Sequence, residues 1–186
     1  MPGAQVLPEI TYGLKSSRKT VDWIVVLPEV VLLVEVKSAI PAEPVRLGIP
    51  EAADAVLGKL GKAPKQIDVT AQFIADRDPA FAAVPAGRPV LGLAATLEPF
   101  HMANAQFDPL PSTRTPVTVA DAAEIENLVT ITDMAPGQLL FDRAADTSRS
   151  TWSLDTALQG HARNRNPVLD EAWNFYPWAA AARAYR

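Results

Sequence analysis

Residues Thr20 to Ala39, TVDWIVVLPEVVLLVEVKSA, are almost entirely apolar, yet Asp22 opens the run and Glu35 and Lys37 close it. Val, Leu and Ile at this density, divided by a Pro28-Glu29 turn, predict two strands, Thr20 to Leu27 and Val30 to Lys37, joined as a hairpin. Their continuous apolarity predicts cover on both faces.

The turn suggests a register, although Pro does not dictate a two-residue turn and so leaves a slip open. With Pro28-Glu29 at its centre, Leu27 pairs with Val30, Ile24 with Leu33, and Asp22 falls opposite Glu35. Side chains directly opposite share one face, their Cβ atoms about 5 Å apart, and Lys37 points to that face too. A one-residue slip would scatter the three groups. Two carboxylates this close repel unless a cation joins them or one keeps a proton. Hard divalent ions such as Mg²⁺ or Mn²⁺ accept carboxylate and carbonyl oxygens and keep several waters. Beside them, Lys37 can orient a water or neutralise charge developing on an attacked phosphate. Together these are the parts of metal-assisted phosphodiester hydrolysis. The same spacing also suits a plain surface ion pair between Glu35 and Lys37 at a strand end.

Around the hairpin the pattern alternates strand and helix. Val6 to Tyr12 reads as a strand. Leu57, Leu60, Ile67, Thr70, Ala71 and Ile74 recur at helical spacing, with a fresh helix from Pro64 to about Ala75. The run RPVLGLAATLEPF is another strand, ending near Leu97. Three prolines between Asn104 and Pro116 mark a soft boundary, dividing a core (1–105) from a mainly helical extension (106–186). In the extension, Asp121 to Val129, Gly137 to Ala145, Thr151 to His161 and Pro167 to Arg183 read as helices, the last kinked at Pro177. Trp152, Trp173, Tyr176 and Trp178 cluster there, expected mainly as packing residues, with an oligomer interface as the other use. His101 and His161 lack metal-ligand spacing, and no phosphate-binding or nucleophile-elbow motif is present.

The formal charge of −4 argues against a wholly basic surface, but all six lysines fall in the first 65 residues. That skew points to a polyanion facing the first third of the chain. No apolar run reaches the roughly 18 residues of a spanning helix, no signal peptide is evident, and there is no cysteine. The expectation is a cytoplasmic protein without a membrane partner.

An Asp at the start of one strand, followed by a hydrophobic strand ending E-x-K, resembles the PD-(D/E)xK, or restriction-endonuclease-like, nuclease superfamily. TVDWIVV and VLLVEVKSA are similar to its second and third core strands, KQIDVTAQFI to the next helix, and PVLGLAATLEP to the strand after it. The resemblance spans about residues 5 to 100. It implies an α/β fold, a restriction-endonuclease-like mixed sheet flanked by helices, and a Mg²⁺- or Mn²⁺-dependent deoxyribonuclease. By position, Asp22 and Glu35 become metal ligands, with the Val36 carbonyl and Glu9 as further candidates, and Lys37 the catalytic lysine. Gln66 becomes an auxiliary residue; with Thr70 it resembles the Q-x-x-x-Y element of RecB-type members, Thr replacing Tyr.

On that fold Lys15, Arg18 and Lys19 on one side, and Lys59, Lys62 and Lys65 on the other, flank the acidic site as phosphate contacts to nucleic acid, expected to be DNA. The family's first core helix has no counterpart before Val6. The extension, a homodimer partner, or a further domain or chain is then expected to supply it. The alternative function is a catalytically inactive nuclease-like module for nucleic-acid binding or assembly.

Overall fold

The structure, a computed structural model, describes residues 3–12, 18–38, 60–100 and 113–176, with Glu43 and Gly58. The elements in order are β1 (Gln5–Pro8), β2 (Thr11–Tyr12), β3 (Arg18–Lys19), β4 (Trp23–Val26), β5 (Val31–Lys37), α1 (Lys62–Ala75), β6 (Val90–Thr96), β7 (Val117–Asp121), α2 (Ala122–Thr130), α3 (Pro136–Ala145), α4 (Leu154–Ala157) and α5 (Pro167–Asn174). Five strands make one mixed sheet in the order β1-β4-β5-β6-β7, and β2 and β3 form a separate ribbon. The pairs β1–β4 and β4–β5 are antiparallel, whereas β5–β6 and β6–β7 are parallel. Parallel pairing of β5 and β6 needs a crossover, and α1 lies in that connection.

The hairpin register is the expected one. Ile24 pairs with Leu33 and Trp23 with Val34, and the Leu27 N–H donates to the Val30 carbonyl at 2.9 Å. Both faces are covered, as the apolar run required. Ile24, Val26, Val31 and Leu33 pack with Ile67 of α1. Leu32, Leu91, Leu93 and Ala120 turn the other way, toward Leu128 of α2, Leu139 and Leu140 of α3, and Leu154 of α4. Each such fully buried Leu or Ile stabilises the fold by about 1.5–3 kcal/mol. The cover thins at the open end of the hairpin, where Trp23 is 45 % and Val36 50 % exposed on the face away from α1.

Several elements differ from the sequence expectation. The first strand divides at Pro8, so β1 joins the large sheet and β2 turns to pair with β3. Proline lacks the N–H that a continuing ladder would use. Helix α1 begins at Lys62, two residues before Pro64. Pro64 sits in the first turn, where the N–H has no intrahelical acceptor. Strand β7 is not among the elements expected from the sequence, so the C-terminal part contributes to the sheet as well as adding helices. The expected helix at Thr151 to His161 shrinks to the single turn α4. Trp152 and Trp173 stay about half exposed, and α5 buries no residue. The kink at Pro177, together with Trp178 and His101, lies outside the described residues. Among the described residues no helix is long and apolar enough to cross a membrane.

Candidate active site

Strand β4 ends its ladder with Trp23, but the hydrogen bonding continues one step further through a side chain. Asp22 Oδ2 accepts the N–H of Val36 at 2.7 Å, doing with a carboxylate what a strand carbonyl does within the ladder. This holds the Asp22 carboxylate against the carboxyl end of β5. One residue back, Glu35 alternates to the α1 side of the sheet and is only 4 % exposed. Lys37, two residues on, returns to the same side, and its Nζ donates to Glu35 Oε1 at 2.6 Å. The pair is largely withdrawn from solvent, unlike the surface pair that E-x-K spacing alone allowed.

The second carboxylate oxygen, Glu35 Oε2, is buried without a hydrogen-bond partner. Burial pushes the Glu35 carboxyl above its usual range; the Lys37 ammonium pulls it down and the Asp22 charge pushes it up again, and the net direction is upward. A buried, half-satisfied carboxylate facing another acid is an expensive arrangement, and such perturbed groups concentrate at functional sites.

Helix α1 closes the site from the side. Parallel β5 and β6 force the crossover to return, which puts the amino end of α1 near the carboxyl end of β5. From that end Gln66 reaches across, its Nε2 donating to the Thr20 carbonyl at 2.8 Å. Gly92 of β6 lets the helix lie this close: a Cβ there would sit 2.7 Å from Ile67 Cγ2 and 2.9 Å from Val117 Cγ2. Thr70 takes no part in the site. It is buried, and its hydroxyl donates to the Gln66 carbonyl one helical turn back.

The remaining candidates surround this centre. Glu9 is held by Lys19, Nζ to Oε1 at 2.9 Å, so a metal role for Glu9 requires exchange of that partner. Arg18 stands over the ring of Phe73, 6.0 Å from its centroid. Lys62 is exposed one turn before Gln66, on the same strip of α1. Lys65 borders a groove of about 690 Å³ that it shares with Gln72 and Arg114. Lys15 and Lys59 lie outside the described residues. Sequence reasoning missed Thr20, a fully buried polar residue at the start of the apolar run; nothing in its local sequence marks it, because its partners come from elsewhere in the chain.

Among the described residues no group of three or more His, Cys, Asp or Glu is disposed to hold a metal. A Mg²⁺-type site does not need one, since one or two carboxylates with waters suffice. Asp22, Glu35 and the Val36 carbonyl are all hard oxygen donors. The orphaned Glu35 Oε2 is the atom that fits a cation best.

The fold so defined is an α/β protein with a mixed five-stranded sheet flanked by helices. Compared with protein-family models, curated proteins and solved structures, the chain matches none significantly.

Proposed function

We propose that the protein hydrolyses phosphodiester bonds of nucleic acid, DNA in preference, in a divalent-metal-dependent reaction on a restriction-endonuclease-like core. The observation that carries this reading is the juxtaposition at the open end of the β4–β5 hairpin. Asp22 is fixed on the Val36 N–H, Glu35 is buried with a free oxygen, and Lys37 lies on Glu35 at 2.6 Å. The topology supports it. Strands β4 and β5, helix α1 and strand β6 follow one another in the order that the resemblance of residues 5 to 100 implies.

In this reading Asp22, Glu35 and the Val36 carbonyl hold Mg²⁺ or Mn²⁺. Such an ion, when bound, supplies charge neutralisation at the phosphate and a bound water of lowered pKa. The chain's own groups do the rest. Asp22 and Glu35, set by one register, fix where the scissile phosphate and the water meet. The Lys37 ammonium, released from Glu35, donates to a non-bridging phosphate oxygen and neutralises the charge that develops there. As the water oxygen bonds to phosphorus it gives up a proton to solvent, and the leaving ester oxygen takes one from solvent as its P–O bond breaks. Gln66 anchors α1 beside them, and Lys62, Lys65, Arg18 and Lys19 contact flanking phosphates without reading bases.

The test is incubation of the full chain with plasmid and with single-stranded DNA in Mg²⁺ or Mn²⁺. Cleavage is expected, lost in both Asp22→Ala and Lys37→Ala; cleavage that survives either change overturns the site assignment. One feature favours the inactive-module reading: Lys37 and Asp22 are already satisfied by partners within the chain. Calorimetric titration separates the two. Mn²⁺ binding that disappears in Glu35→Gln supports the nuclease, and no binding at millimolar Mn²⁺ supports the module.

A further inference from the structure

We propose that Thr20 is a positioning residue that holds the Asp22 carboxylate in place from behind. As a positioning residue for a metal site, Thr20 rests on the function proposed above; its hold on Asp22 does not. Thr20 is completely buried at the point where three parts of the chain meet. Its main-chain N–H donates to the Ile10 carbonyl at 3.0 Å. Its hydroxyl oxygen accepts the Ile10 N–H at 2.8 Å and donates to the Val21 carbonyl at 2.9 Å. Its own carbonyl accepts Gln66 Nε2 at 2.8 Å. Every polar group of the residue is therefore engaged, toward the segment between β1 and β2, toward α1, and along the link from β3 to β4.

The location gives these bonds their consequence. Asp22 lies two residues further on, beyond the end of the β4 ladder, where main-chain pairing no longer restrains it. The bond from the Val36 N–H holds its carboxylate on the β5 side. Thr20 supplies the restraint on the other side of Asp22, tying the strand entry to Ile10 and to the helix that carries Gln66. The Thr20 hydroxyl is specifically required, because Val in its place keeps the shape but leaves the Ile10 N–H without its acceptor. Groups hydrogen-bonded directly to a ligand are commonly worth about 10- to 100-fold in metal affinity. Thr20 acts one step further out, through the backbone of residues 20–22, so an effect at the lower end, about tenfold, is expected.

Two measurements on the full chain test this, using Thr20→Val and Thr20→Ser. The first is amide hydrogen exchange by NMR without metal, comparing the Val36 amide with that of Ile24 in the middle of β4. Thr20→Val should speed Val36 exchange about tenfold relative to Ile24, and Thr20→Ser should restore the ratio, since it keeps the hydroxyl. A ratio unchanged by Thr20→Val overturns the proposal, whatever happens to the melting temperature, because a merely structural role speeds both amides together. The second is Mn²⁺ calorimetry well below the melting transition. Affinity at least about tenfold weaker in Thr20→Val and restored in Thr20→Ser supports the proposal; equal affinity in wild type and Thr20→Val overturns it. If wild type binds no Mn²⁺, the functional reading fails, and the exchange ratio alone decides whether Thr20 holds Asp22.

Discussion

Asp22 and Val36, fourteen positions apart in sequence, are joined by a 2.7 Å bond from the Val36 N–H to the Asp22 carboxylate. The bond couples an acid that can hold a metal to the strand that carries Glu35 and Lys37. Charge and geometry can be separated here by two substitutions. Asp22→Asn keeps an acceptor for the Val36 N–H and loses the negative charge, whereas Asp22→Ala loses both. Both should reduce Mn²⁺-dependent cleavage by about 10²-fold or more. Only Asp22→Ala should also destabilise the protein, by about 0.5–1.5 kcal/mol. Cleavage assays paired with urea denaturation check this.

The raised Glu35 carboxyl makes a prediction with a definite sign. Because its folded pKa lies above the unfolded value, the folded state binds the proton more tightly. Stability therefore falls as pH rises from the ordinary Glu range through the raised folded value, and the loss persists above it. Glu35→Gln, whose carboxamide oxygen can still accept from Lys37, should melt higher than wild type at pH 7. The difference should close below the ordinary Glu range, where both states of the wild type are protonated. Thermal melts of the two proteins from acid to neutral pH, without metal, read this directly. A Glu35→Gln protein less stable at pH 7 would show that the ion pair outweighs the burial cost.

How much of this was legible depended on whether a local signal existed. The hairpin was: a turn dipeptide between two unbroken apolar runs suggests the observed register, which puts Glu35 and Lys37 on one side of β5, whereas Asp22, just outside the ladder, is held by its side-chain bond to the Val36 N–H. Strand β7 was not. Val117–Asp121 is a short element bordered by Pro116, and its place is decided by pairing with β6, a partner more than twenty residues away. Thr70 misleads for a related reason. Its spacing from Gln66 is right for a shared function, but it lies on the buried stripe of α1, and its hydroxyl turns back to its own helix. The role of Thr20 is invisible in sequence because its partners, Ile10 and Gln66, come from opposite sides of it in the chain.

Gly92 is the point where the core and the site are coupled. A methyl there meets Ile67 at 2.7 Å and Val117 at 2.9 Å, both branched side chains held in a packed layer. Gly92→Ala should cost about 1–3 kcal/mol through overpacking. Because α1 must lift for the methyl to fit, the Gln66 bond to Thr20 should weaken too. Expected results are a lower denaturation midpoint and, in conditions where the variant is fully folded, reduced cleavage.

Arg143 marks stability on the opposite side of the sheet, away from the site. It is buried, donates to Thr118 Oγ1 at 2.6 Å and to the carbonyls of Ser150 and Trp152, and burial pulls its pKa down to about 10. A base with a depressed folded pKa disfavours the folded state while charged. That penalty is complete at neutral pH and is relieved only as pH rises through about 10. Arg143→Met removes the charge but strands three acceptors, and should destabilise by about 1–3 kcal/mol at pH 7. Mn²⁺ affinity, measured on folded protein, should stay at the wild-type value.

The nucleic-acid reading stands or falls on salt. Lys62 and Lys65 are exposed on the first turns of α1, Lys62 on the strip that carries Gln66, and Lys59 precedes them in sequence. If these ammonium groups neutralise DNA phosphates, each neutralised phosphate releases condensed counterion, so log K falls linearly with log salt. Replacing Lys59, Lys62 and Lys65 together by Ala should weaken binding to all DNA sequences alike. It should also reduce the magnitude of the salt slope by about one unit for each phosphate left without its lysine. Fluorescence anisotropy with a catalytically silent Asp22→Asn background, in Ca²⁺ and at several salt concentrations, gives the slope without cleavage. Binding that weakens for one sequence only would point to base reading, for which no element among the described residues is set. An unchanged slope would make the three lysines an ordinary solvated face and move the phosphate contacts to Arg18, Lys19 or elsewhere.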